Sequence, residues 1–283
     1  MAAKFDVASR LAEARPAVDN TQSYVWACHL LNYQNADLTQ HSAQIRDWFS
    51  SDDGMDLHVL DADCASLHAA ATASDGALAQ QREQLTHLST VWQGAGGASA
   101  EDFVRRHCDA AEKVTSSVRA AAEAVAGLRD TLWQIVDTKA AAVSAIDDRH
   151  SSERPAWLAA AQTVITGVGD RVAASELVDR QIKPFVDNDI RVDWLTAVRT
   201  AMTSIGSSYD SATAGLTSAP PARFDLPSDF GPGAPPSRHD APPPREPEPA
   251  RGSAPEAPAP YPAGAPQYLP PAGLPASPPM TTP

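Results

Sequence analysis

The stretch that decides the fold is residues 60–97, LDADCASLHAAATASDGALAQQREQLTHLSTVWQGAGG. Within it, intervals of four and three residues alternate from Leu60 to Trp92, through Cys64, Leu67, Ala71, Ser74, Leu78, Gln81, Leu85 and Leu88. This spacing places the residues on one stripe of an α-helix and predicts a helix that packs along a seam. The three glycines within 94–97 make a continued helix unfavourable. The sequence therefore predicts one long helix that ends at Trp92.

The same spacing returns after the glycines. Ser99 is a candidate N-cap, and the apolar stripe runs from Val114 through Val118, Ala121, Val125, Leu128, Leu132 and Ile135. Two amphipathic helices joined by a tight turn must fold back on each other, because neither apolar stripe is stable in water. We therefore expect an antiparallel helical hairpin over residues 56–150.

Alanine is abundant in the first 218 residues and alternating strand patterns are missing, so we expect an all-α fold. N-terminal helices are predicted within 1–55, a short one that ends at Pro16 and a longer one over 20–49. A C-terminal helical pair, 156–181 and 189–214, is predicted within 151–218, with a break at Lys183-Pro184. The expected architecture is an elongated antiparallel helical bundle.

Residues 219–283 have a different composition. They contain 22 of the 25 prolines, with alanine, glycine and serine and few bulky apolar side chains. Such a segment cannot bury enough surface to offset the entropy lost on ordering. We expect a disordered proline-rich tail.

The charge balance restricts the partners. The chain has 22 basic and 35 acidic residues and a net charge of −13, which argues against nucleic acid and anionic lipid. The longest apolar stretch without charge, 155–169, is shorter than the roughly 20 residues that span a bilayer, so no stable membrane insertion is expected. The first residues, MAAKFDV, do not have the pattern of a secretory signal peptide.

No catalytic or metal-binding pattern stands out. Cys28, Cys64 and Cys108 are too widely spaced for a disulfide framework or a zinc site, and we expect them in the core. Glycine-rich phosphate loops and nucleophile motifs are missing in a strand context. We expect a protein that is not an enzyme and has no cofactor.

The tripeptide Trp92-Gln93-Gly94, at the predicted hairpin tip, resembles the Trp-x-Gly helical-hairpin substrates of the actinobacterial type VII (ESX) secretion system. That family has a second element, Tyr-x-x-x-Asp/Glu, about forty residues after the tryptophan. Here Trp133 and Asp137 stand at that place, 41 residues beyond Trp92, with tryptophan in place of tyrosine. The proline-rich tail is similar to that of the larger ESX-associated proteins. A literal Tyr-x-x-x-Asp, Tyr33 to Asp37, lies upstream and is a weaker alternative signal.

The resemblance implies export without a cleaved signal peptide to the cell surface or beyond. It also implies that Trp92, Gly94, Trp133 and Asp137 form a composite patch that binds a secretion ATPase or a dedicated chaperone. A second small hairpin protein, or another copy of the chain, is a further expected partner. The residues alone allow a simpler interpretation, in which Trp92 only caps the seam and Trp133 packs inside the bundle.

A function of another class also fits the sequence. The chain could be a cytoplasmic or envelope-associated helical scaffold, in which the polar seam positions Ser74 and Gln81 leave helix surface for a partner. The proline-rich tail would then recruit further proteins.

Overall fold

The computed structural model describes residues 2–218 and 221–225, and this part of the chain is mainly helical, without strands. The predicted all-α class is confirmed. The remainder of the predicted tail, 219–220 and 226–283, lies outside the described residues. The helices are α1 (Val7–Leu30), α2 (Gln44–Phe49), α3 (Leu57–Val91), α4 (Ala95–Asp148), α5 (Arg154–Thr166), α6 (Arg171–Leu177), α7 (Lys183–Phe185) and α8 (Leu195–Thr217).

Helices α3 and α4 form the predicted hairpin. Three ion pairs join them, Arg82 with Glu112, Arg119 with Asp75 and Arg129 with Asp61, so the partner on α4 moves toward its C-terminus as the partner on α3 moves toward its N-terminus. This order is that of an antiparallel pair. Along α3 the buried residues recur every seven positions, at Leu57, Cys64, Ala71 and Leu78. The predicted α3 seam is therefore confirmed.

The seam on α4 differs by one position from the predicted stripe. In its first half the residues buried at heptad spacing are Cys108, Thr115 and Ala122, whereas Val114 is exposed. Val118 and Val125 are half-buried. Small side chains allow close helix packing, and Thr115 is overlooked when only strongly apolar residues are sought.

The second half of α4 belongs to the main core. Leu132, Val136 and Val143 are fully buried in one cluster with residues of α1, α5 and the last helices, among them Leu11, Val18, Val25, Trp157, Ile190 and Trp194. Helix α4 contacts both α1 and α8, and α5 packs on α1. One helix thus has two environments, a two-helix hairpin first and a multi-helix core afterwards.

The predicted break at Pro16 is wrong, because Pro16 lies inside α1. Proline usually disrupts a helix interior, but here Leu11, Ala14, Ala17 and Val18 are buried around it. Packing of this face offsets the lost backbone hydrogen bond. The chain instead leaves the helix at Leu30, and Asn32 adopts a positive φ of 68°. Residues 31–43 form a loop where a long helix was predicted.

The predicted break at Lys183-Pro184 is also wrong. The chain turns earlier, at Gly167 and Gly169, which have φ angles of 73° and 109° that favour glycine. Asp170 then caps α6 by accepting a hydrogen bond from the Ala173 amide. From α6 to α8 the helix continues through Pro184, with π-helical segments at Val178–Ile182 and Val186–Trp194. Pro184 falls within the first residues of α7, between these wider turns.

A buried ion pair, not foreseen from the sequence, attaches the turn before α3 to α4. The Lys139 ammonium donates to the Phe49 carbonyl at 2.7 Å, pairs with Asp52 and lies 4.4 Å from the centre of the Phe49 ring. Both charged side chains are almost wholly buried. Burial lowers the pKa of Lys139, while Asp52 acts in the opposite direction.

Removing one member of this pair should destabilise the fold strongly. Lys139→Met leaves the Asp52 carboxylate buried without its partner, which should reduce the free energy of unfolding by about 3–5 kcal/mol. Lys139→Met with Asp52→Leu should recover much of that loss, and Lys113→Met, at an exposed site of α4, is the control. Urea unfolding measures all three variants. A loss below about 1 kcal/mol for Lys139→Met would contradict the structural role given to the pair.

Candidate functional site

The hairpin tip is built from a tryptophan and a glycine. Helix α3 ends at Val91, and Trp92 adopts an extended backbone while its amide still donates to the Leu88 carbonyl at 3.0 Å. Gly94 follows with φ 93° and ψ −177°, a conformation that is essentially restricted to glycine. Helix α4 begins at the next residue. Gly94 is therefore required by the turn itself.

Gly97 is required for a different reason. A Cβ atom at Gly97 would lie 2.2 Å from the Trp92 carbonyl oxygen, and one at Gly96 would lie 3.6 Å from Cζ2 of the Trp92 ring. The main chain of Trp92 thus rests directly on the first turn of α4, with its indole beside Gly96. The turn fixes where Trp92 stands on the molecule.

The tip presents apolar surface. Trp92 is 52% exposed and Val91 is 81% exposed, and residues 88–100 contain no charged side chain. Trp92 is the last residue of the predicted seam. Its ring is nevertheless half-exposed, whereas Leu78, earlier in the same seam, is buried between α3 and α4. An exposed aromatic in an uncharged region of an acidic chain is a feature of protein-binding surfaces.

Trp133 and Asp137 share one face of α4, as their spacing predicts. Trp133 packs against the core cluster and meets the Phe5 ring edge-on, with ring centres 6.2 Å apart. The Asp137 carboxylate accepts a hydrogen bond from Nε of Arg10 at 2.6 Å, and its carbonyl accepts one from Nη2 of Arg10 at 3.3 Å. Both residues are therefore already engaged within the chain.

The structure does not bring the two predicted signal elements together. Gly94 immediately precedes the uninterrupted helix α4, on which Asp137 lies, and a rise of 1.5 Å per residue separates the two by about 60 Å. The composite patch expected from Trp92 and Asp137 is wrong for a single chain. The spacing of 41 residues between Trp92 and Trp133 was identified correctly. Because nearly all of the residues between them are helical, the two tryptophans lie far apart along α4.

Tyr33 and Asp37 lie in the loop after α1, so they do not share a helix face. The Tyr33 hydroxyl donates to Oδ1 of Asp187 at 3.2 Å. Asp37 pairs with Arg199, and its carbonyl accepts a hydrogen bond from the Trp48 indole at 2.9 Å. Burial, with the Asp187 hydrogen bond, raises the pKa of Tyr33 to about 12. These contacts attach the loop to the C-terminal helices.

Helices α4 and α8 form a groove that the sequence did not predict. The groove has a volume of about 560 Å³. It is lined mainly by small side chains, among them Thr138, Ala142, Ala197, Ala201 and Ser204. These residues are spaced four or three positions apart on each helix. The groove could have been predicted if alanine and serine had been included among the residues that form a helix stripe.

In the part of the chain that the structure describes, no group of three or more His, Cys, Asp or Glu side chains is placed to hold a metal ion. Cys28, Cys64 and Cys108 are buried thiols without disulfides. No helix among the described residues has the length and apolar character needed to cross a membrane.

Comparison with known proteins gives no relative. The chain matches no protein-family model, and it has no significant match among curated proteins or solved structures.

The glycine requirement at the tip can be tested by substitution. Gly97→Ala should lower the free energy of unfolding by about 1–3 kcal/mol, because the new methyl group collides with the Trp92 carbonyl. Gly127→Ala, in the middle of α4 with open space around it, should instead stabilise the protein by about 0.5–1 kcal/mol. Thermal unfolding followed by circular dichroism compares the two. Equal stability of the variants would contradict the tip geometry.

The Tyr33 contact predicts a pH dependence. Its pKa is about 12 in the folded chain and about 10 when unfolded, so the folded state keeps a proton that the unfolded state loses. The stability from this contact is complete below pH 10 and is lost as the pH rises toward 12. Tyr33→Phe should therefore lose less stability than wild type between pH 9 and pH 11 in urea unfolding. Tyr209→Phe, with an exposed ring, is the control, and a loss in Tyr33→Phe equal to that of wild type would refute the contact.

Proposed function

We propose that the chain is a secretion-associated helical protein, exported by a type VII (ESX) system without a cleaved signal peptide, that acts by binding other proteins. The observation that carries the proposal is Trp92, a half-exposed aromatic ring fixed by Gly94 and Gly97 at the tip of a long helical hairpin. The Trp-x-Gly resemblance of the sequence supports the same residue.

The tip suits recognition by a pocket. A preset turn lowers the entropy cost of binding, and a tryptophan that enters a dry pocket contributes strongly to affinity. The absence of charge from 88–100 avoids the cost of desolvating an ion at the contact. A secretion ATPase or a dedicated chaperone is the partner that this proposal assigns to Trp92.

Trp133 and Asp137 take a separate role in this proposal. Because about 60 Å of helix lies between them and Trp92, they would contact a different partner or a distant part of a large one. Trp133 contacts Phe5 and Asp137 pairs with Arg10, so a partner that binds them either displaces or includes these contacts.

A scaffold that stays with the cell is the second candidate, favoured by the groove between α4 and α8. Its small side chains allow another helix to approach closely, as small residues do at helix interfaces. In this alternative the groove binds a helical partner and the proline-rich tail recruits others.

Export assays decide between the two candidates. In cells with an active secretion ATPase, Trp92→Ala should reduce the protein in the culture filtrate and at the cell surface at least about tenfold, the loss expected for an aromatic anchor. Val168→Ala, at an exposed apolar side chain outside the hairpin, is the control, and it should be exported normally.

Cells that lack the ATPase should export neither form. Unchanged export without the ATPase would refute the secretion proposal. Recovery of the wild-type protein only in cytosolic and envelope fractions of ATPase-positive cells would favour the scaffold.

A further inference from the structure

The N-terminal segment of the chain covers part of the α4 surface that contains Trp133. Residues 2–5 precede α1, whose first turn is capped by Asp6 through a hydrogen bond from the Ser9 amide at 2.9 Å. Asp6 therefore marks the boundary between α1 and a short non-helical segment, of which Phe5 packs against the core cluster. We call residues 2–5 the strap.

Two strap side chains meet two residues of α4 in register. The Lys4 ammonium lies 3.5 Å from the Asp130 carboxylate, and the Phe5 ring lies edge-on to Trp133 with centres 6.2 Å apart. Lys4 is also 4.6 Å from the centre of the Phe5 ring. Asp130 and Trp133 are separated by three residues and so face the same way from α4. We call them the acceptor surface.

The ion pair of Arg10 with Asp137 lies beside the acceptor surface, next to Trp133. Arg10 belongs to α1 and is mostly buried, and its Nε lies 2.6 Å from the Asp137 carboxylate. This contact does not involve the strap and persists if the strap leaves. Asp137 is thus a positioning residue for the surface, and Trp133 is the residue that the strap hides.

Several observations indicate that the strap is weakly held. The pair of Lys4 and Asp130 is exposed on both sides, and such pairs contribute little to stability. Phe5 has a φ of 73°, which a bulky side chain rarely adopts. Cavities of about 510 and 500 Å³ lie on either side of the segment, one at Lys4 and Trp133 and one at Phe5 and Met55. Phe5 is the residue that retains the strap, because its ring packs against the core cluster, meets Trp133 and lies 4.6 Å from the Arg129 guanidinium.

We propose that the strap is a displaceable cover, and that the acceptor surface binds a partner protein segment in which a basic residue stands next to an aromatic one. Lys4 and Phe5 show the chemistry that the surface takes, since a cation reaches Asp130 while an aromatic edge reaches Trp133. This inference rests on the proposed function only in treating Trp133 as a partner-binding residue, and it does not depend on the route of export.

The test uses the chain without residues 2–5 and a fluorescent peptide of sequence MAAKFD as the probe. Anisotropy is followed up to millimolar protein, because a tethered segment has an effective concentration on the order of millimolar. The peptide should bind the shortened chain at least about tenfold more tightly than the full chain, whose own strap competes. The peptide MAAKAD should not bind.

Two variants of the shortened chain locate the site. Trp133→Ala should abolish binding, whereas Trp92→Ala should leave it unchanged, which separates this inference from the role of the hairpin tip in export. Phe5→Ala in the full-length chain keeps all residues present, and it should increase peptide binding by weakening the strap. Circular dichroism checks that each variant is helical.

The proposal is overturned if the peptide does not bind the shortened chain or full-length Phe5→Ala. It is also overturned if the peptide binds the wild-type chain equally well, or if it binds the Trp133→Ala variant.

Discussion

The rest of the structure depends on the uninterrupted length of α4. Its 54 residues make a helix of about 80 Å, longer than any single neighbour in the described part of the chain. No one helix can therefore cover its apolar side. The first half of α4 packs on α3, and the second half packs in the core. Small residues at Cys108, Thr115 and Ala122 permit the close hairpin, and larger ones from Leu132 onward fill the core.

This division fixes where the candidate surfaces lie. The tip is defined where α3 ends, by the backbone of Gly94 and by the space that Gly97 leaves for Trp92. The Trp133 surface lies where α4 enters the core and where α1 supplies Arg10 to Asp137. A rigid helix between the two makes them separate surfaces. The buried pair of Lys139 and Asp52 then holds the segment that leads into α3 against the same helix.

The sequence predicted the hairpin well, because α3 packs mainly on one other helix, α4. From Leu60 to Leu88 the alternation of four and three residues follows burial closely, and polar Ser74 and Gln81 are half-buried as their places require. The turn was also predictable, since three glycines within four residues disfavour a continued helix. On α4 the buried residues of the hairpin are small, as at Thr115, so a stripe of strongly apolar residues was displaced by one position.

Other errors have particular physical causes. Pro16 and Pro184 were taken as breaks, although packing of the residues around them maintains the helix; Gly167 and Gly169, which end α5, were taken as helical. Lys139 was not anticipated because a buried cation depends on a partner 87 positions away. For the candidate site, Trp92 could be found from sequence alone. The cover over Trp133 could not, since Phe5 and Arg10 are distant from it in the chain.

Trp92 and Trp133 occupy two separate surfaces joined by one continuous helix, α4. A distance measurement between spin labels at the exposed positions Gln93 and Gln134 tests it most directly. The labels are placed in a chain whose three native cysteines are replaced by alanine, diluted with unlabelled protein. A single distribution near 60 Å is predicted from the helix rise. A dominant distance below about 40 Å would mean that α4 bends or breaks, and would contradict the account.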